Sequence, residues 1–177
     1  AALALMNTNT ASAAAMLAYL FYDMAKGKKP SGMGASIGLV VGLVAITPAA
    51  GFVNVGSSIF IGVVAALVSN YAIELRSKTR LDDTLDVFPA HGMGGIVGML
   101  LTAVFAEEVG LIYGDPTTFL YHLLTLVIVA VITFGGSYLM YKITNLIVPL
   151  RISAHGEKIG LDMSQHNESY DFEYKSA

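Results

Sequence analysis

The stretch from 31 to 73, "SGMGASIGLVVGLVAITPAAGFVNVGSSIFIGVVAALVSNYAI", runs 43 residues without a single charged side chain. A bilayer core needs roughly 20 apolar residues per helix, so this run is too long for one crossing and long enough for two. Its break is visible in "TPAAGFVNVG", Thr47 to Gly56, where Pro48 and two glycines interrupt a helix. Charge-free stretches recur at 1–22, at 87–106 and at 116–141. Only 13% of the 177 residues are charged, against about 25% in a soluble domain. The pattern predicts an all-α, polytopic transmembrane helix bundle with five spans: about 1–24, 33–50, 55–75, 87–106 and 118–146. These form one membrane domain, 1–150, followed by a polar tail, 151–177, beginning just after Pro149. The first span lacks an initiator Met, a basic leader and a cleavage site, so it does not read as a signal peptide; the chain is expected to be part of a longer one.

Basic residues set orientation because they are costly to translocate. Lys26, Lys28 and Lys29 follow span one, and Arg76, Lys78 and Arg80 follow span three. Lys142, Arg151, Lys158 and Lys175 belong to the end of span five and the tail. Under the five-span reading all ten fall on one side, whereas Thr47–Gly56 is uncharged and "EEVGLIYGDP" carries only acids. The expectation is an integral protein of the plasma (inner) membrane with its N-terminus outside and its tail in the cytoplasm. The tail holds eight charged residues in 27, is too short for a core of its own, and is expected to be disordered or docked. Without cysteine, disulfides and thiolate metal sites are excluded. A net charge of −3 with no long basic run speaks against nucleic acid.

Gly34, Gly38 and Gly42 stand four residues apart, and Gly94 and Gly98 repeat the spacing. Such stripes let helix backbones approach closely in a membrane, and close packing is the preferred reading. The polar, small segment "NTNTASAAA", Asn7 to Ala15, is expected to hydrogen-bond between helices.

Four histidines need sorting. His155 and His166 lie in the aqueous tail, and His122 lies near the outer end of span five. His91, in "DVFPAHGMGGIVGML" (86–100), sits about a turn inside an apolar span. Ionisable groups at that depth usually face a bundle interior or a water-filled path. Desolvation favours the neutral ring, which offers one donor and one acceptor. The residues alone leave two readings open: a group that relays a proton or binds a small polar solute, or a satisfied structural histidine. No second ligand is spaced for a metal. Asp82, Asp83 and Asp86 in "LDDTLD" read most simply as acids at a helix N-terminus, with Asp86 as the cap and Pro89 tolerated in the first turn.

At these residues a family comes into view. "DVFPAHGMGGIVGML" resembles the tenth-helix signature of the ammonium transporter family, in its Amt/Mep branch. "GKKPSGMGASIGLVVGLVAITPAAGFVNVG" resembles its seventh-to-eighth helix region, and "GLDMSQHNESYDFEY" resembles its cytoplasmic regulatory tail. The resemblance implies an eleven-helix fold with two inverted five-helix repeats, of which this chain would supply helices seven to eleven and the tail. It implies a homotrimer, in a lipid bilayer, with one pore per subunit and no enzymatic activity or cofactor. His91 matches the second-repeat member of a pair of pore histidines; its partner would lie on helices outside this chain. Val87 matches an apolar pore-lining position, Thr47 a threonine near the pore, and Asp86 the aspartate preceding the helix. Pro89 stands where glycine is common, and Ile37 where some members carry a polar residue. The implied activity is passage of ammonium-derived ammonia, with an ammonium sensor signalling through the tail as the alternative. The implied partner at the cytoplasmic face is a PII-type signalling protein, and Ser164 lies where some members are phosphorylated. Half a pore alone is expected not to transport.

Overall fold

The computed structural model describes residues 1–169, and among these the regular structure is entirely helical. The chain divides into two units, 1–128 and 129–177, each described here by itself.

In the first unit, α1 (Ala2–Ala25), α2 (Gly32–Ile46), α3 (Val55–Arg76) and α4 (Gly94–Phe105) pack together. A π-helical turn, Phe88–Met93, leads into α4, and α5 begins at Pro116, running to Ile147. Local signals set the starts. Ser31 Oγ accepts the Gly34 N–H at 3.0 Å, and Asn54 Oδ1 accepts the Ser57 N–H at 2.9 Å. Asp115 Oδ1 accepts the Thr117 N–H at 2.8 Å where α5 begins. Each satisfies one of the amides a helix start leaves without a partner.

The glycine stripe of α2 lies buried against α1. A Cβ on Gly42 would stand 2.6 Å from the Ala11 carbonyl oxygen and 2.7 Å from the Ala15 Cβ; one on Gly38 would meet Met16 Cα at 2.9 Å. The α1 face that receives them is itself small, with Ala11 and Ala15 fully buried. Gly62 of α3 also abuts the Ala11 backbone, so glycines of α2 and α3 converge on the Ala11 carbonyl of α1. Val41, Ala45, Ile46, Val53, Ile61, Ala65 and Ala90 join Ala11 in one apolar core. Phe60 and Phe105 meet edge to face at 5.4 Å between α3 and α4. The second stripe is half realised. Gly98 lies hard against the Ala45 backbone, whereas a Cβ on Gly94 would make ordinary contact at 3.5 Å.

The polar segment of α1 does join helices. Asn7, fully buried, donates from Nδ2 to the carbonyls of Ala50 (2.9 Å) and Val53 (2.7 Å). Thr10 and Ser58 share a hydrogen bond at 2.8 Å, and Ser12 donates to the Leu39 carbonyl at 3.1 Å.

One expected boundary shifts, and one helix start differs in kind. The second span, read as 33–50, ends as a helix at Ile46, and residues 47–53 form a chain of turns. Fifteen residues rise about 22 Å, short of a core about 30 Å thick. The turns carry the chain further, and Asn7 supplies donors to two of their carbonyls. The fourth span, read as about 87–106, is helical over Phe88–Phe105, with its first turn π rather than α. Among the described residues, three helical stretches are long and apolar enough to cross a membrane: Val55–Arg76, Phe88–Phe105 and Pro116–Ile147. Gly32–Ile46 is apolar but shorter.

In the second unit, the described tail is locally ordered rather than featureless. α6 (Ala154–Ile159) is capped by Ser153, and Arg151 Nε donates to Glu157 Oε1 at 2.7 Å. That hydrogen bond, with the guanidinium charge behind it, holds the Glu157 carboxyl below the usual range. A short π-turn, Asp162–His166, follows. The part of the tail motif beyond 169 lies outside the described residues.

Candidate functional site

His91 sits in the π-turn, and its side chain is exposed on the surface of this chain. The turn's origin is local. Pro89 has no N–H to give an α-helical ladder and is itself buried near the turn's start. Gly92 leaves room for the Phe88 ring, which a Cβ there would meet at 2.8 Å. π-turns inside helices occur frequently at functional sites.

Around His91 lies an open groove of about 200 Å³, lined by Ser36, Ile37, Val40, Leu85, Ala90 and His91. Its walls are aliphatic apart from the Ser36 hydroxyl and the imidazole. The Ser36 Oγ donates to the Gly32 carbonyl at 3.0 Å, which leaves its lone pairs to face an incoming donor.

Of the residues expected along the pore or its mouth (His91, Val87, Thr47 and Asp86), His91 alone lines this groove. Ile37, noted as a departure from the family pattern, is a wall residue beside the serine. Val87 stands four positions before His91 and is half exposed. Thr47 is exposed on α2's C-terminal cap, seven residues beyond Val40 and so about 10 Å along the axis. Its Oγ1 donates to the Leu43 carbonyl at 2.7 Å. Ser36, Val40, Leu43 and Thr47 together form an exposed stripe on α2 opposite its buried glycines. Sequence reading missed Ser36, Val40 and Leu85. For the two on α2 the signal was present: residues two positions off a glycine stripe face away from the helix it packs on.

The capping role expected of Asp86 belongs to Asp83. Asp83 Oδ1 accepts the Val87 N–H at 2.8 Å, and its Oδ2 accepts the Phe88 N–H at 2.9 Å. These two amides hold its carboxyl below the usual carboxylate range, that of Phe88 most strongly. Asp86 adopts a left-handed backbone (φ 51°), and its carboxylate pairs with Arg76 of α3. This pair shares one end of the unit with three others: Lys26–Glu74 (3.5 Å), Lys28–Glu74 (3.4 Å) and Lys28–Asp23 (3.6 Å).

The remaining histidines stay outside the groove. His122 Nδ1 is 3.0 Å from the Met99 carbonyl, a structural partner for its ring. His155 and His166 lie on exposed tail turns. Ser164 is exposed, with its hydroxyl donating to the Gly160 carbonyl at 2.7 Å.

Comparison with known proteins identifies the family of this fold. Residues 1–170 match the model of the Ammonium Transporter Family. An ammonium transporter of Bacillus subtilis is 38% identical over 173 residues, covering 93% of this chain and 43% of the relative. One of Aquifex aeolicus is 40% identical over 174 residues, covering 95% and 41%. The chain thus spans less than half the length of these relatives. Among solved structures, Saccharomyces cerevisiae Mep2 superposes with a TM-score of 0.80 at 33% identity, over 86% of this chain and 37% of that one. A sensor Amt protein superposes with a TM-score of 0.83 at 27% identity, over 93% and 42%. An all-helical bundle with apolar spanning helices, a histidine presented beside an aliphatic groove, and a family match along nearly its whole length lead to one assignment: this chain belongs to the ammonium transporter family and is an integral membrane protein.

Proposed function

We propose that this chain forms one wall of a path that carries ammonium-derived ammonia across the membrane. One observation carries the reading: an apolar spanning helix opens on a π-turn that presents His91 to a groove walled by Ile37, Val40, Leu85 and Ala90. A bare ammonium ion in such surroundings meets a Born penalty of tens of kcal/mol. Ammonia is neutral and enters at far lower cost. The cation therefore gives its proton to solvent water at the mouth of the groove, and the uncharged molecule hydrogen-bonds to the His91 ring. The Ser36 hydroxyl gives a second hydrogen-bonding point at the same level.

In this reading the chain crosses the membrane five times, with the cluster of ion pairs and the tail on the cytoplasmic side of the plasma membrane. Val87 and Thr47 extend the path toward its two ends, and Asp86 organises the cytoplasmic mouth. The opposite wall, with a second histidine facing His91, comes from residues outside this chain. The whole transporter is a trimer. Its tail, near Ser164, is the docking point for a PII-type protein, and phosphate on Ser164 would add about two negative charges to that exposed turn.

The test is flux. In liposomes containing the full natural protein, His91→Ala should lower ammonium-driven flux, or change the charge moved per ammonia delivered, while leaving the assembly folded. Unchanged flux and unchanged current would return His91 to a packing role. The second reading, an ammonium sensor, is favoured by the likeness to a sensor Amt protein. It predicts ammonium binding with no flux in the same liposomes.

A further inference from the structure

Neither Arg76 nor Asp86 lines the groove, yet together they hold the segment from which His91 projects. Asp86 is one of three non-glycine residues with positive φ among those described. The left-handed region is disfavoured for residues with a Cβ, although aspartate tolerates it better than most. Its backbone is the stem of the π-turn. Its N–H donates to the Asp83 carbonyl at 3.1 Å, and its carbonyl accepts the Ala90 N–H at 2.9 Å. His91 follows at once. The Asp86 side chain is 16% exposed and the Arg76 side chain 26%, so the pair is largely withdrawn from water. Arg76 contributes Nη2 to the pair, while its Nε is buried without a partner among the described residues.

We propose that Arg76 is a positioning residue: by pairing with Asp86 in its left-handed conformation, it fixes the direction in which the π-turn presents His91 to the groove. Losing the pair frees Asp86 to return to a common backbone region. That rotates the stem, and Pro89 and the buried Ala90 transmit the rotation to the next residue rather than absorbing it. This inference rests on the reading that solute passes His91.

The experiment compares ammonium flux, its pH profile and the charge moved per ammonia in liposomes of the full natural protein. Misplacement of a reacting group by about 1 Å lowers rates by up to about a hundredfold, so Arg76→Ala should lower flux by about tenfold. It should also shift the charge-to-ammonia ratio in the same direction as His91→Ala, which mere loosening of the fold would not do. Arg76→Lys should keep flux near wild type, because one nitrogen makes the contact. Asp86→Gly should lower flux as Arg76→Ala does, because glycine takes positive and negative φ alike and leaves the stem's direction unfixed. Where Arg76→Ala does not yield folded protein, Arg76→Gln against Arg76→Lys makes the same comparison. Wild-type flux in Arg76→Ala, or in Asp86→Gly, overturns the positioning role while transport past His91 stands. Absence of flux in the wild-type protein overturns both.

Discussion

Replacing Asn7 by alanine tests how the short second helix is held. Asn7 is fully buried, and its amide donates to two carbonyls on the turns that follow α2, Ala50 at 2.9 Å and Val53 at 2.7 Å. Alanine leaves both without that donor, and each buried acceptor so stranded costs about 1–3 kcal/mol, or roughly 4 kcal/mol together. Part of this is returned. Asn7 Oδ1 is itself buried with no partner among the described residues, and deleting it recovers about 2 kcal/mol on the same scale. The net expectation is a loss of about 2 kcal/mol, some thirtyfold in the folding equilibrium. The measurement is equilibrium unfolding of the full protein in mixed detergent micelles, followed by helix content. Asn7→Asp adds a second arm. Its carboxylate has no donor for either carbonyl and cannot ionise cheaply in the core, so the folded state binds a proton more readily than the unfolded one. With more protons bound when folded, stability rises as pH falls toward the ordinary carboxylate range. A loss below about 0.5 kcal/mol for Asn7→Ala, within the scatter of surface substitutions, would refute the idea that this amide anchors the turns. So would an Asn7→Asp protein whose stability ignores pH.

Three further outcomes follow from the packing and the caps. Gly42→Ala should destabilise by about 1–3 kcal/mol, since its new methyl would stand 2.6 Å from the Ala11 carbonyl oxygen and forces α1 from α2; the same unfolding assay reads it. Gly94→Ala, where the nearest contact is 3.5 Å, should be close to neutral and serves as its control. Asp83→Asn should lower thermal stability at neutral pH. Because the Asp83 carboxyl is depressed by the Phe88 and Val87 amides, its contribution is present above its unfolded value. It fades as pH falls below about 4 and through the depressed value. The gap between wild-type and Asp83→Asn melting temperatures should therefore shrink in acid.

Much of this fold is legible because charge is scarce. Long runs without a charged residue have to be buried in lipid or in protein, and each such run emerged as helix apart from the turns at 47–53 that divide the longest. The glycine stripe of α2 likewise names its own packed face. What the spacing could not name was the partner. Small residues are frequent in several helices, and only the fold shows Ala11 and Ala15 of α1 receiving Gly38 and Gly42. It also could not separate Gly98, pressed on the Ala45 backbone, from Gly94, which has room. The second span, drawn to residue 50, overlaps its own break: α2 ends at Ile46 and the turns begin at Thr47, the first residue of the stretch marked by Pro48 and two glycines. The helix had already given way at Thr47, whose own hydroxyl bonds back to the Leu43 carbonyl.

The mouth of the groove shows a deeper limit. Three aspartates within five residues, Asp82, Asp83 and Asp86, are equivalent candidates for a cap by type and charge. Position relative to the first turn favours Asp86. Two amides nevertheless go to Asp83, four and five residues upstream of them, because the intervening chain folds back through a left-handed residue. That reversal is stabilised by Arg76, which lies ten positions earlier at the end of another helix. No local propensity encodes such a pair, since the attraction exists only once α3 and the π-turn stand side by side. The consequence reaches His91. An α-helical start at residue 87, with Asp86 as its cap, would place the imidazole by simple 3.6-residue periodicity. The π-turn changes that phase. The direction in which the histidine faces is therefore a tertiary property: Asp86 and Pro89 belong to the motif, but Arg76, from another helix, sets how they present it.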